Sequence, residues 1–238
     1  MVYRRSTRHA LVVGLFMGLG LCLGSALAGA DETAAQGRLE VFQAADGATY
    51  FAAVLPNVPQ ENPEAARHII VLVNTSAAQT GAIREKSLSA LKEFLTRLTP
   101  QDRVQMIAVD LKAVPMGEGF AAVGSAELDA ALSKLEKRVP LGSCDLGSGL
   151  KAATEALKQA PADGRVLVYF GDGLSRAKLL SAESLGQLIT TCVESQIPVN
   201  AYLIGTQVDY GLVASLATHT GGQVVADSAD LDSAAIGE

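Results

Sequence analysis

The sequence predicts an α/β fold: a doubly wound, mostly parallel central sheet flanked by helices and preceded by an N-terminal β-hairpin. Two observations carry that prediction. Residues 69–73, 166–170 and 199–204 are almost continuously apolar and rich in β-branched side chains, the pattern of strands buried on both faces of a parallel sheet. Segments with apolar residues at helical spacing alternate with them, which implies right-handed crossovers and helices on both faces.

The first thirty residues differ in kind from the rest. Arg4, Arg5 and Arg8 form a basic start, residues 10–28 are apolar or Gly/Ser apart from one cysteine, and 26–28 and 28–30 both fit a small-x-small cleavage site. Residues 1–30 therefore read as a secretory signal. The apolar stretch is long for a signal, so an uncleaved membrane anchor is the alternative. A lipid-modified Cys22 fits poorly, because bulky Leu21 precedes it, and Ser6 and Thr7 weaken a twin-arginine reading. Loss of the leader's three arginines shifts the net charge from −6 to −9. An acidic chain without a basic cluster makes a poor nucleic-acid binder.

Residues 31–64 are expected to hold a β-hairpin and a Pro-rich linker. Asp46-Gly47 between two alternating apolar runs is a hairpin signal, and Pro56, Pro59 and Pro63 follow it. Residues 65–238 form the main domain. The opening strand begins at His68 and runs through 69–73, with Asn74, Thr75 and Ser76 just past its carboxyl end, and 84–98 is a helix with Leu88, Leu91, Leu95 and Leu98 on one face, ended by Pro100. Residues 103–109 are the next strand, and the Gly- and Pro-bearing segment 113–123 a short edge strand. Ser125 caps a helix carrying Leu128, Leu132 and Leu135, and a further helix carries Leu146, Leu150, Ala153 and Leu157. A strand over 166–170, a helix over 181–196 and a strand over 199–204 come next. A helix over 212–218 closes on Gly221-Gly222, and 223–226 is the last strand. Asp230-Leu231 suggests the start of another helix, cut short at Glu238, so the chain reads as a fragment of a longer protein.

Two cysteines lie outside the leader, and an exported protein invites their pairing. Cys192 sits on the apolar face of its helix, at the opposite end of the fold from Cys144, which argues against a disulfide. Cys144 reads as a small filler; its place before a helix start, where a thiolate is favoured, is the sharper alternative. His68 begins a buried strand far from the loops, and His219 lies in a helix's last turn. The chain contains no Gly-x-Ser-x-Gly elbow, no phosphate-loop motif and no Cys-x-x-Cys. Gly171-Asp172-Gly173 is half a dinucleotide fingerprint without its third glycine, and Asp172 would repel a pyrophosphate. No set of residues for enzyme chemistry is visible, and no enzyme is expected.

Polar residues converge in three loops at or beside the carboxyl ends of strands, residues 74–81, 142–145 and 171–175, which is where open α/β sheets place their ligands. Together with the strand and turn in VLVYFGDGLS, and with IPVNAYLIG followed by LVASLATHTGGQVV, residues 68–227 resemble the von Willebrand factor type A (VWA) family, which has a Rossmann-like fold. The resemblance implies a divalent-metal site in which hydroxyls bind directly and carboxylates mostly through waters. That family's first loop reads Asp-x-Ser-x-Ser, where this chain has Asn74, Thr75, Ser76, Ala77 and Ala78. The threonine of the second loop falls on Cys144, before Asp145, and the aspartate of the third is Asp172.

The resemblance thus places Ser76, Asp172, Asn74 and Asp145 at the metal positions, with Mg²⁺ or Mn²⁺ as the ions such a site would take. Ala78 offers no ligand, a thiol suits a hard cation poorly, and Asn74 removes a charge that Asp145 could replace only by turning inward. No cofactor is therefore expected, and the site reads as vestigial. Asn74, Ser76 and Asp172 have a plainer reading, as groups that satisfy turn and loop amides. The implied function is an exported, non-catalytic interaction module. It would be periplasmic, cell-surface or secreted, with no membrane span after signal removal. It would bind a protein partner at the face of Asn74, Thr75, Ser76, Cys144, Asp145 and Asp172. A structural scaffold domain of a larger envelope protein, with the hairpin as docking element, is the second reading; a Rossmann-like nucleotide-dependent enzyme is the third.

Overall fold

The computed structural model describes residues 38–43, 49–54 and 66–226. The leader, the Asp46-Gly47 turn, the proline linker and residues after Ala226 lie outside that set. The first two strands, β1 (Arg38–Gln43) and β2 (Thr49–Val54), pair antiparallel with Arg38 opposite Val54 and Gln43 opposite Thr49, so the expected pairing of these two runs is present. The hairpin belongs to a unit of its own.

The main unit is built on β3 (His68–Asn74), β4 (Arg103–Val109), β7 (Arg165–Gly171), β8 (Val199–Leu203) and β9 (Val224–Ala226), all mutually parallel. Two short strands, β5 (Ala113–Pro115) and β6 (Ala121–Ala122), line the free edge of β4 antiparallel. One edge strand was expected there. Gly117 and Gly119 interrupt the segment and divide it in two. The order β5-β4-β3-β7-β8-β9 sends the chain one way from β3 to β4 and the other way from β3 to β7. The switch point therefore lies between the carboxyl ends of β3 and β7, where such sheets open a crevice.

Every residue from Ile69 to Val73 is at most 1% exposed, so β3 is buried on both faces, as its apolar run requires. On one face Ile69, Val71 and Val73 pack with Leu91 of α1 (Gly81–Thr96) and with Leu128 and Leu135 of α2 (Ala126–Lys137). On the other face Ile70 and Leu72 meet Leu146, Leu150 and Leu157 of α3 (Leu146–Leu157), Cys192 of α4 (Ala182–Glu194) and Leu216 of α5 (Tyr210–Thr220). Ser125 caps α2 and Ser181 caps α4, each accepting from an amide three residues on. Helix α5 starts two residues earlier than expected because the Asp209 carboxylate accepts the Leu212 amide, and it ends on left-handed Gly221. Cys144 and Cys192 are both free and buried.

Charged groups secure the amino end of the sheet. Asp102 is wholly buried in the turn before β4. It accepts from the Arg67 Nε and Nη2 at 2.9 and 2.7 Å, from the Arg67 amide at 3.2 Å and from the Thr99 amide at 2.8 Å. At the opposite, carboxyl end, Arg84, buried in the first turn of α1, donates to the Leu135 carbonyl at 2.6 Å and so places a cation at the end of α2.

His68 is packed edge-on against Phe120, and burial, helped by Arg103 and Arg165, holds its pKa below the ordinary 6.5. The unfolded chain therefore takes up this proton more readily than the folded one. The resulting stability is present in full above pH 6.5 and falls as the pH drops below it. His68→Gln should flatten the change in urea midpoint between about pH 7.5 and 5.5 relative to the parent. An unchanged slope would assign the pH dependence to other groups.

Candidate functional site

The three polar loops meet above the crevice between β3 and β7. Backbone hydrogen bonds weave them together: the Thr75 amide donates to the Val109 carbonyl, Ala77 to Gly142, Leu141 to Thr75, Asp145 to Asp110, and Ala177 to Cys144, at 2.7–3.1 Å. At the centre the Asn74 side chain donates through Nδ2 to Asp172 Oδ1 at 3.0 Å, joining the ends of β3 and β7 across 98 residues of sequence. The Asn74 Oδ1 accepts the Ser76 amide at 2.9 Å, and Asp172 Oδ1 also accepts the Leu174 amide at 3.1 Å. The other Asp172 oxygen faces Arg176 Nη1 at 4.0 Å. The plain reading holds for Asn74 and Asp172. The two side chains satisfy local amides and, beyond that, bond each other.

This pair is tightly enclosed. Burial raises the Asp172 carboxyl above its ordinary range, against the opposing pull of the Leu174 amide, Arg176 and Asn74. Beneath it the Tyr169 hydroxyl accepts the Gly173 amide at 3.2 Å. That tyrosine is wholly enclosed, and burial, with Cys144 and Asp172 adding to it, holds its ionisation far above 10. Between them only glycine fits at position 171. A Cβ there would stand 2.6 Å from the Asn74 Cβ and overlap the Tyr169 hydroxyl, so the missing side chain is what lets the two loops close on each other.

Sequence reasoning found Asn74, Ser76 and Asp172, and the fold brings them together. Asp145 behaves differently from the inward turn that would restore a charge. It is the N-cap of α3 and spends its carboxylate on the Ser148 amide at 2.9 Å. Cys144 is buried, and burial together with Asp172, Asp145 and Asp110 pushes its thiol up to about 12. It is a protonated filler; the reactive alternative requires a thiolate. Three partners went unforeseen: Tyr169, Gln79, whose amide donates to the Ile204 carbonyl at 3.2 Å, and Arg138. The guanidinium of Arg138 bonds the Thr75 hydroxyl at 3.1 Å and pairs with Asp110.

This donor set does not fit Mg²⁺ or Mn²⁺. A hard cation needs oxygen lone pairs around it, and here an N–H of Asn74 occupies one lone pair of the one central carboxylate. Ala78 adds none, and a neutral buried thiol is a soft donor. Among the described residues no cluster of three or more His, Cys, Asp or Glu side chains is placed to hold a metal.

The expected partner face is also rearranged. Asn74, Thr75, Ser76, Cys144 and Asp172 are each at most 3% exposed, so a partner docked on this end could not touch them. Beside them this end carries an apolar group: Leu111, Val139 and Leu141 are 59%, 76% and 72% exposed and rim a cleft floored by Asp110 and Arg138. No helix among the described residues is long and apolar enough to cross a membrane.

Comparison with known proteins agrees with this architecture. The von Willebrand factor type A domain family matches residues 26–89 and 67–226. No curated protein matches. Among solved structures, a von Willebrand factor type A protein from Catenulispora acidiphila superposes with a TM-score of 0.65 at 15% identity, covering 84% of this chain and 47% of that one. The present chain thus spans about half of that protein. The SpRpn10 VWA domain superposes with a TM-score of 0.57 at 11% identity, covering 71% of this chain and 93% of the other. A conserved hypothetical protein, BatB, from Bacteroides thetaiotaomicron does so at 0.53 and 16% identity, covering 71% and 93%. Identities this low speak for the fold alone, and the family match is what decides membership. With its parallel sheet, its loops at the β3–β7 switch point and that match over two thirds of its length, the chain belongs to the von Willebrand factor type A domain family, a family of adhesion and protein-interaction modules.

Proposed function

We propose that this chain is an exported, non-catalytic protein-interaction module that works without a divalent ion, its ancestral metal site being vestigial. The observation that carries the reading is the 3.0 Å hydrogen bond from Asn74 Nδ2 to Asp172 Oδ1. It joins directly the two loops that a cation would otherwise bridge, and it uses the lone pair that a metal-bound water would need. A neutral amide beside a buried carboxylate is stable where two carboxylates would repel. The contact surface is then the apolar rim of Leu111, Val139 and Leu141, since exposed large apolar side chains set together commonly mark interaction sites. Residues 1–30 support export, and residues 31–64 and 65–238 form the hairpin-and-linker segment and the interaction domain.

The test is partner capture with a photo-crosslinking residue at position 111, run in Mg²⁺ and in excess chelator. Capture of the same partner in both conditions, lost in the Val139→Asp/Leu141→Asp double variant, is the expected result. Capture that needs the metal, or that survives the double variant, contradicts the reading. Recovered protein beginning at Gly29 or Asp31 is the expected outcome for export.

A further inference from the structure

A second surface lies away from the apolar rim. Helices α3 and α4 both run from the carboxyl end of the sheet back towards its amino end, as crossovers between parallel strands require, so they lie side by side and parallel. Between them is a groove of about 520 Å³. Helix α3 offers it Ser148, Lys151, Glu155 and Lys158, which follow the i, i+3, i+7, i+10 spacing of one helical stripe. Helix α4 offers Leu188 and Thr191 from its facing side. The groove follows α3 for about 18 Å, the length of its twelve residues. Two helices with a furrow between them form the seat a third helix fills by ridge-into-groove packing.

The upper end is closed by the loop before α4. There Leu180 Cδ1 lies 3.0 Å from where a Cβ on Gly147 would stand, and Ser175 ties the loop to α3 by accepting the Leu146 amide and donating to the Lys178 carbonyl. This holds Lys178 beside the first turn of α3, with Leu179 next to it 88% exposed. The charges are unequally satisfied. Glu155 is paired with Lys158 at 3.0 Å, and the Asp145 carboxylate caps α3. Among the described residues Lys151 and Lys178 have no carboxylate partner; Lys178 stands beside the first turn of α3, where the helix presents its positive N-terminus, and Lys151 lies midway along the helix. In a chain of net charge −6 this is a locally cationic groove, lined by Lys151, Lys158 and Lys178 against Asp145 and Glu155, with Leu179, Leu180 and Leu188 as its apolar points among mostly polar side chains.

We propose that the groove between α3 and α4 seats an amphipathic helix of a partner protein, lying antiparallel to both helices, with acidic residues in its C-terminal turns. Its apolar stripe covers Leu179 and Leu188, its carboxylates meet Lys151 and Lys178, and its own negative end faces the two positive helix termini. The surface is independent of the rim formed by Leu111, Val139 and Leu141, so its failure leaves the rim reading intact.

The probe is a fluorescein-labelled peptide of about four helical turns with a leucine stripe and glutamates elsewhere, set beside the same peptide with lysine for each glutamate. Anisotropy titration of the full chain should show saturable binding of the acidic peptide, about tenfold tighter than the basic one, weakening as salt rises. Lys151→Glu together with Lys178→Glu, both at the surface, should leave the circular dichroism unchanged and weaken binding about tenfold. Hydrogen exchange should slow in residues 147–158 and 184–191. Equal affinity for both peptides, no saturable binding of the acidic one, indifference to the double substitution, or protection confined to other segments would each overturn the proposal.

Discussion

Asn74→Asp should lower the stability of the domain by about 3 kcal/mol at pH 7, although it restores the residue the family carries at that position. The substitution replaces an N–H donor, 3.0 Å from Asp172 Oδ1, with a second carboxylate in a site where both side chains are nearly inaccessible. Like charges at that distance repel strongly, and the buried Asp172 carboxyl is already raised by its surroundings. One of the two must then take up a proton for the fold to persist. The sign follows. A carboxyl whose folded pKa is raised binds its proton more tightly when folded, so the variant regains stability as the pH falls towards about 5 and loses it as the pH rises. Urea unfolding followed by circular dichroism at both pH values measures this. The exchanged pair, Asn74→Asp with Asp172→Asn, keeps one amide and one carboxylate and should recover most of the loss. If the exchanged pair is as unstable as the single variant, the hydrogen bond is not what holds the loops.

A comparable loss, about 3 kcal/mol, is expected from Asp102→Ala at the opposite end of the sheet. The carboxylate accepts four hydrogen bonds from Arg67 and Thr99 while fully buried. Its removal takes the acceptor away from the Thr99 amide and breaks the two-pronged contact to the half-exposed Arg67 guanidinium. Burial alone would raise the Asp102 carboxyl, but the guanidinium and the two amides outweigh it and hold it below its ordinary 3.8. Its stabilisation is therefore fully present above that value and is lost as the pH falls through the lower, folded one. The parent should show a steeper acid unfolding transition below about pH 4 than Asp102→Ala does. Equal steepness in the two proteins would mean that other carboxylates set the acid limit.

Most of the fold was legible because its signals are local. The run from Ile69 to Val73 could be placed as a central strand without knowing its neighbours, and Ser125 and Ser181 announce their helices through their own side chains. Boundaries were less legible where a cap is missing or shifted. Helix α1 starts at Gly81, after Thr80, whose side chain makes no capping bond, so nothing in the sequence separates position 81 from position 84. The site was legible as a list of positions but not as a set of bonds. Asn74 and Asp172 are visible as departures from, and agreement with, a family motif, yet that one donates to the other depends on a crossing 98 residues apart and on the absent side chain of Gly171. Tyr169 lies in a strand buried on both faces, where no alternation marks which side chains point at the crevice. The burial of every residue of the expected partner face except half-buried Asp145 follows from the weave of loop hydrogen bonds, which no single loop encodes.

Calorimetric titration of Mg²⁺ and Mn²⁺ into the parent protein, beside a triple variant carrying Asn74→Asp, Ala78→Ser and Cys144→Thr, tests the central claim most directly. The parent should give no binding heat up to low-millimolar metal, while the triple variant, with its oxygen donors restored, should bind and be stabilised by the ion. Saturable binding of either metal by the parent would contradict the account.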